Sequence, residues 1–150
     1  MGTGNLIKCN KCSYEKEFML GYGMLYGDVD RVVSFLDKKN RDRATEVMKE
    51  NHQNYTVDFE GRAIFQCRKC FSVEENEYIV IRDKENKLLF RTYSECKKCK
   101  IKRRKLPMRD ELVKEFHCPK CKTDSVEVIP GMNWDWILND RLDKKNLYCI

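Results

Sequence analysis

Four copies of one short pattern constrain this chain more than anything else in it. Cys9-Asn10-Lys11-Cys12, Cys67-Arg68-Lys69-Cys70, Cys96-Lys97-Lys98-Cys99 and Cys118-Pro119-Lys120-Cys121 each place two cysteines three positions apart. A C-x-x-C bend aims two sulfurs at one point, and two such bends complete the tetrahedral four-thiolate set that zinc favours. Eight of the nine cysteines are thereby assigned as ligands of two zinc ions. Four bends can form two sites in three ways: sequential, nested or interleaved. The eighteen residues between Cys99 and Cys118 suit a zinc ribbon, so sequential pairing is the expectation. It joins Cys9, Cys12, Cys67 and Cys70 in one site, and Cys96, Cys99, Cys118 and Cys121 in the other. The 54 residues between Cys12 and Cys67 are long for a ribbon. A looped-out insert is nonetheless tolerable, because closure entropy grows only logarithmically with length.

The intervening segments read as short strands and two helices. Leu6-Ile7 and Phe18-Met19-Leu20 flank the first knuckle as strand ends. The glycines of Gly21–Gly27 suit a structural turn; without the lysine and hydroxyl residue of a P-loop they are a poor phosphate cradle. Val29, Val32, Val33 and Leu36 recur at helical spacing in 28–40, with Asp28 as N-cap, and Ala44, Val47 and Met48 do so in 42–51. Residues 55–59 and 63–67 read as strands around a Glu60-Gly61-Arg62 turn. Residues 78–82 and 88–93 form a second hairpin that delivers the chain to Cys96. Beyond Cys121, Ser125–Ile129 alternates as a strand that Pro130-Gly131 ends, and Asn133 caps a short helix.

The expected fold class is α+β: a small β-rich protein with two four-cysteine zinc-ribbon sites and a helical insertion between the first and second knuckles. The first ribbon module, with its insert, would occupy 1–95 and the second 96–135. A short helix and loose tail would follow in 136–150.

The run Cys9-x-x-Cys12-Ser13-Tyr14-Glu15, then Gly21-Tyr22-Gly23-Met24, two further knuckles, and Cys118-Pro119-Lys120-Cys121 ahead of Asn133-Trp134-Asp135 resembles uncharacterised bacterial proteins with paired CxxC zinc ribbons. The resemblance spans most of residues 6–135. It implies two metal-bearing ribbons with a helical insert, and no activity. One departure concerns the residue after each second cysteine, where knuckles usually carry glycine. Here it is Ser13, Phe71, Lys100 or Lys122. A side chain at positive φ costs about 1 kcal/mol, which metal coordination readily offsets.

Charge narrows the functional classes. The formal net charge of +6 falls to about +2 once two Zn(Cys)4 centres, each of charge −2, are counted. The surplus is local. Lys97, Lys98, Lys100, Lys102, Arg103, Arg104, Lys105 and Arg109 fall in a stretch with no acidic residue. Lysines beside the knuckles (Lys11, Lys69, Lys97, Lys98, Lys120, Lys122) can simply compensate thiolate charge. Lys102, Arg103, Arg104, Lys105 and Arg109 lie further along and suit phosphate, with Tyr93, Phe116, Trp134 and Trp136 near in sequence as stacking surfaces.

Three functions compete: a zinc-binding, non-enzymatic module contacting nucleic acid or a nucleic-acid machine; a protein-interaction adaptor anchored by Trp134 and Trp136; and a thiol or redox protein. Four cysteines close a metal's coordination shell, and the only histidines are His52 and His117, which disfavours an enzyme. Cys149 has no partnering cysteine and reads as an incidental thiol. No stretch reads as a signal peptide or membrane span, so a reducing, cytoplasmic setting is expected. Nothing points to a small-molecule substrate.

Overall fold

The protein is seen in a computed structural model that describes residues 2–21, 28–52, 54–107 and 112–134. Its strands are β1 (Gly2–Cys9), β2 (Glu15–Gly21), β3 (Tyr55–Gln66), β4 (Val73–Asp83), β5 (Leu88–Arg91), β6 (Arg104–Lys105) and β7 (Val126–Trp134). Its helices are α1 (Val29–Phe35), α2 (Lys38–Glu50) and the single turn α3 (Leu112–Glu115). One antiparallel sheet runs β5-β4-β3-β2-β1-β7, and β6 also pairs with β3. Among the described residues no helix is long and apolar enough to cross a membrane.

The two helices lie between the first and second knuckles, as the apolar spacing requires. Asp28 caps α1 by accepting a hydrogen bond from the Asp30 amide. The break between the helices falls earlier than the periodicity suggests. Leu36 turns to an extended conformation and Asp37 caps α2, its carboxylate accepting from the Asn40 amide at 3.0 Å. Val32, Val33, Leu36, Ala44 and Val47 pack on Ile79, Ile81 and Phe90. Strand alternation sends Tyr78 and Val80 to the other face, where they join Ala63 and Phe65. A third cluster gathers Ile7, Phe18, Leu20, Ile64, Leu106, Leu112, Phe116 and Val126.

Three local expectations are corrected. Glu60-Gly61-Arg62 is not a turn. Residues 55–66 form one strand, and Gly61, at φ 76°, takes up a register shift between the pairs Phe59–Ile79 and Gly61–Tyr78. Glycine supplies a bulge here, which bends a strand without ending it. Pro130-Gly131 does not stop the last strand either. β7 is an edge strand, where proline removes no needed ladder bond, and it continues to pair Asn133 with Thr3. Asn133 therefore caps no helix. The basic run, for which the sequence suggests no conformation, contains a strand: Arg104 and Lys105 pair with Gln66 and Phe65.

Candidate metal centres and a basic cavity

Each knuckle is built the same way. The amide of its first cysteine donates to the carbonyl five residues on: Cys9 to Tyr14, Cys67 to Ser72, Cys96 to Ile101 and Cys118 to Thr123, at 2.7–3.0 Å. In the last three, the residue after the second cysteine donates back to the first cysteine's carbonyl and adopts positive φ: Phe71 58°, Lys100 56° and Lys122 64°. The strain expected of side-chain-bearing bends is thus present at three knuckles, and Ser13 avoids it. Phe71 has a second duty, stacking on His117 with ring centroids 4.9 Å apart. Lys122 is exposed and has none among the described residues. Lys122→Gly should therefore be more stable than Lys122→Ala, which loses the same charge, by about 1 kcal/mol. Denaturation of both variants at one fixed zinc concentration measures the difference.

The eight knuckle cysteines gather into two tetrads, within each of which all sulfurs lie inside 4.8 Å of one another. The pairing overturns the sequential expectation. Cys9 and Cys12 meet Cys118 and Cys121 in an outer tetrad; Cys67 and Cys70 meet Cys96 and Cys99 in an inner one. The nested arrangement follows from strand register. Cys9 ends β1 opposite Val126, the first residue of β7, so the knuckle entering β7 arrives where β1 leaves. Asn10 N and Ser125 O close that approach at 2.9 Å. The inner tetrad follows from the β4–β5 hairpin. β4 departs from Cys70, and β5 returns antiparallel beside it, carrying the chain to Cys96. Both tetrads and the sheet draw on residues either side of 95/96, the boundary expected between two ribbon modules.

The donor sets fit a tetrahedral soft cation. Sulfur–sulfur separations of 3.5 Å (Cys9–Cys121) and 3.6 Å (Cys12–Cys118, Cys70–Cys96) are far from a disulfide bond. They approach the edge of about 3.8 Å that four sulfurs set around zinc at about 2.3 Å would have. The thiols are unevenly disposed to ionise. Burial and neighbouring thiols push Cys12 and Cys99 up to about 12. At Cys96 the Ser72 hydroxyl leads in lowering it to about 6, and the same hydroxyl lowers Cys70. Burial opposes ionisation of Cys9, yet the Lys11 amide and the Cys121 and Cys12 thiols bring it to about 7. Four crowded thiolates repel one another, so full ionisation of either tetrad needs a bound cation.

The two tetrads are tied together. Gln66, buried, donates through Nε2 to the Phe71 and His117 carbonyls at 3.1 and 2.6 Å and accepts from the His117 amide at 3.0 Å. Gln66 adjoins Cys67 of the inner tetrad, and His117 adjoins Cys118 of the outer one.

The basic run divides into structural and free cations. Arg103 is structural: its side chain is only 8% exposed and binds Glu74 at 2.5 Å and Ser94 Oγ at 3.0 Å. It also reaches Ser72 Oγ at 3.4 Å, the hydroxyl that sits 3.2 and 3.4 Å from Cys70 and Cys96 Sγ. Arg103 therefore belongs to the surroundings of the inner tetrad. Arg104 pairs with Glu115 at 2.8 Å and Lys105 with Glu60, while Lys105 Nζ also lies 4.3 Å from the Tyr78 ring centroid. Lys102 has no carboxylate partner among the described residues and lies over Tyr93, 4.9 Å from its centroid. Arg109, Trp136 and Cys149 lie outside the described residues, as do residues 22–27, and Trp134 is described only as strand backbone.

Lys102, Arg103, Arg104 and Lys105 line a cavity of about 550 Å³ on the sheet face opposite α1 and α2. The other lining residues are Phe65, Tyr78, Thr92, Tyr93 and two arginines from elsewhere in the chain, Arg68 and Arg91. Sequence reasoning missed both. Arg68 sits inside the Cys67–Cys70 knuckle, and Arg91 pairs with Val80, which puts it on the cavity face. Neither has an acidic partner among the described residues. Among the described residues the cavity is lined by six cations and no carboxylate.

No protein-family model, curated protein or solved structure matches this chain. Its own geometry is what speaks to its role.

Proposed function

We propose that this is a non-enzymatic, zinc-organised nucleic-acid-binding module of a reducing, cytoplasmic compartment, related to the bacterial paired-ribbon proteins that its knuckles resemble. One observation carries the nucleic-acid reading. Four separate parts of the chain (the second knuckle, β3–β4, β5 and the 102–105 segment) bring six cations and three aromatic rings to one cavity. Charge compensation of the tetrads does not require this, because Arg91 belongs to no knuckle and has no acidic partner among the described residues. Zinc is favoured by two closed four-cysteine sets, which leave no open position for catalysis.

The test uses the free cations. Arg103 and Arg104 are poor probes, since replacing them also breaks pairs with Glu74 and Glu115. Parent protein and the Arg68→Gln/Arg91→Gln/Lys102→Gln variant are titrated with an RNA and a DNA pool by filter binding at several salt concentrations. Binding should weaken steeply with salt. The slope of log affinity against log salt should shrink by roughly 2–3 in the variant, about 0.7–0.9 for each phosphate no longer neutralised. No binding by the parent at low salt removes the reading.

A further inference from the structure

The cavity is concave, and that shape discriminates among nucleic acids. A duplex keeps its bases stacked inside and offers phosphates on a convex surface, so it can touch only a rim. An unpaired nucleotide can enter. Resting on the nucleic-acid reading, we propose that the cavity seats one unpaired nucleotide of a single strand, its phosphate among Arg68, Arg91 and Lys102 and its base against Tyr93.

The volume of about 550 Å³ falls in the range of small-ligand sites. Phe65 and Tyr78 give it an apolar floor, and they are 1% and 9% exposed. Tyr93 is half-buried on a backbone fixed from behind: its amide donates to Asn40 Oδ1 at 3.2 Å, and its carbonyl accepts from Asn40 Nδ2 at 2.8 Å. A residue whose backbone is held in this way can offer its ring to a base at a lower ordering cost. Two ammonium groups, Lys39 and Lys102, already lie 5.2 and 4.9 Å from its centroid. A base on the ring would turn Lys102 toward the phosphate that accompanies it.

Arg103 also lines the cavity, but its side chain is 8% exposed and is held by Glu74, Ser94 and Ser72, so it forms the wall and is not counted among the phosphate's partners.

Fluorescence anisotropy with a labelled single-stranded 12-mer and the corresponding duplex tests the proposal on the zinc-loaded chain at one salt concentration. The single strand should bind at least about tenfold tighter. A nucleoside monophosphate should displace it at lower concentration than inorganic phosphate does. Tyr93→Leu should weaken the single strand about tenfold or more and leave duplex binding unchanged, while Tyr93→Phe should retain parental affinity. Zinc content and circular dichroism of both variants confirm that they fold; if Tyr93→Leu does not, the monophosphate competition decides. Equal affinity for single strand and duplex overturns this proposal and leaves the broader function standing. So does phosphate competing as well as the monophosphate. Absence of binding to either nucleic acid overturns both.

Discussion

Cys12→Ala/Cys118→Ala should keep one chelator-resistant metal ion per chain, whereas Cys12→Ala/Cys70→Ala should keep none. The first variant damages only the outer tetrad and leaves the inner four cysteines intact; the second leaves no complete tetrad. Sequential pairing would reverse the two outcomes. Native mass spectrometry after challenge with a competing chelator counts the ions, and zinc is told from iron by mass and by the absence of colour. The effect on stability should be large, because a structural zinc in a finger peptide is worth about 10–16 kcal/mol apparent. Phe18, Phe116 and Val126 pack directly around the outer tetrad, so losing that ion should loosen β1 and β7 first. Hydrogen exchange would show their amides losing protection before those of β3 and β4.

The second large effect separates the tetrads by function. Cys99→Ala should reduce nucleic-acid affinity at least about tenfold, or about 1.4 kcal/mol, while Cys12→Ala should change it little. Arg68 is inside an inner knuckle, Lys102 leaves the other one, and Arg103 reaches the inner sulfurs through Ser72. No cavity residue lies in the 9–14 or 118–123 knuckles. The same anisotropy titration applied to both variants checks this. A greater loss from Cys12→Ala would mean that the cavity is held by the outer site.

What could be read from the chain beforehand was what depends on short-range pattern. The four bends, the eight cysteines that could serve as ligands, the Asp28 cap and the positive φ at three of the four knuckles are each fixed within five residues. Pairing of the bends depends on strand register, which no spacer length encodes. The decisive sign was present all the same. A hairpin that starts after Cys70 and hands the chain to Cys96 must bring those two knuckles together. The 99–118 spacer misled because it is not one ribbon turn: it holds β6 and α3, which return the chain to β3 and then to β1. Gly61 and Pro130 look like stops because a sequence does not reveal whether a strand is bulged or at an edge. Arg103 shows the complementary failure. Its distance along the chain from Cys99 suggested freedom, but the knuckle turns it back onto Glu74 and Ser72.

Nesting also gives the two centres different histories during synthesis. The inner one is complete in ligands when Cys99 emerges, from a segment that carries its own hairpins. The outer one holds Cys9 and Cys12 unpaired until residue 121 has been made. Throughout that interval two thiols already present on the nascent chain are open to oxidation or to a stray metal, and the strand that precedes them has no β7 to shield its edge. The first-made of the four knuckles is among the last to be finished.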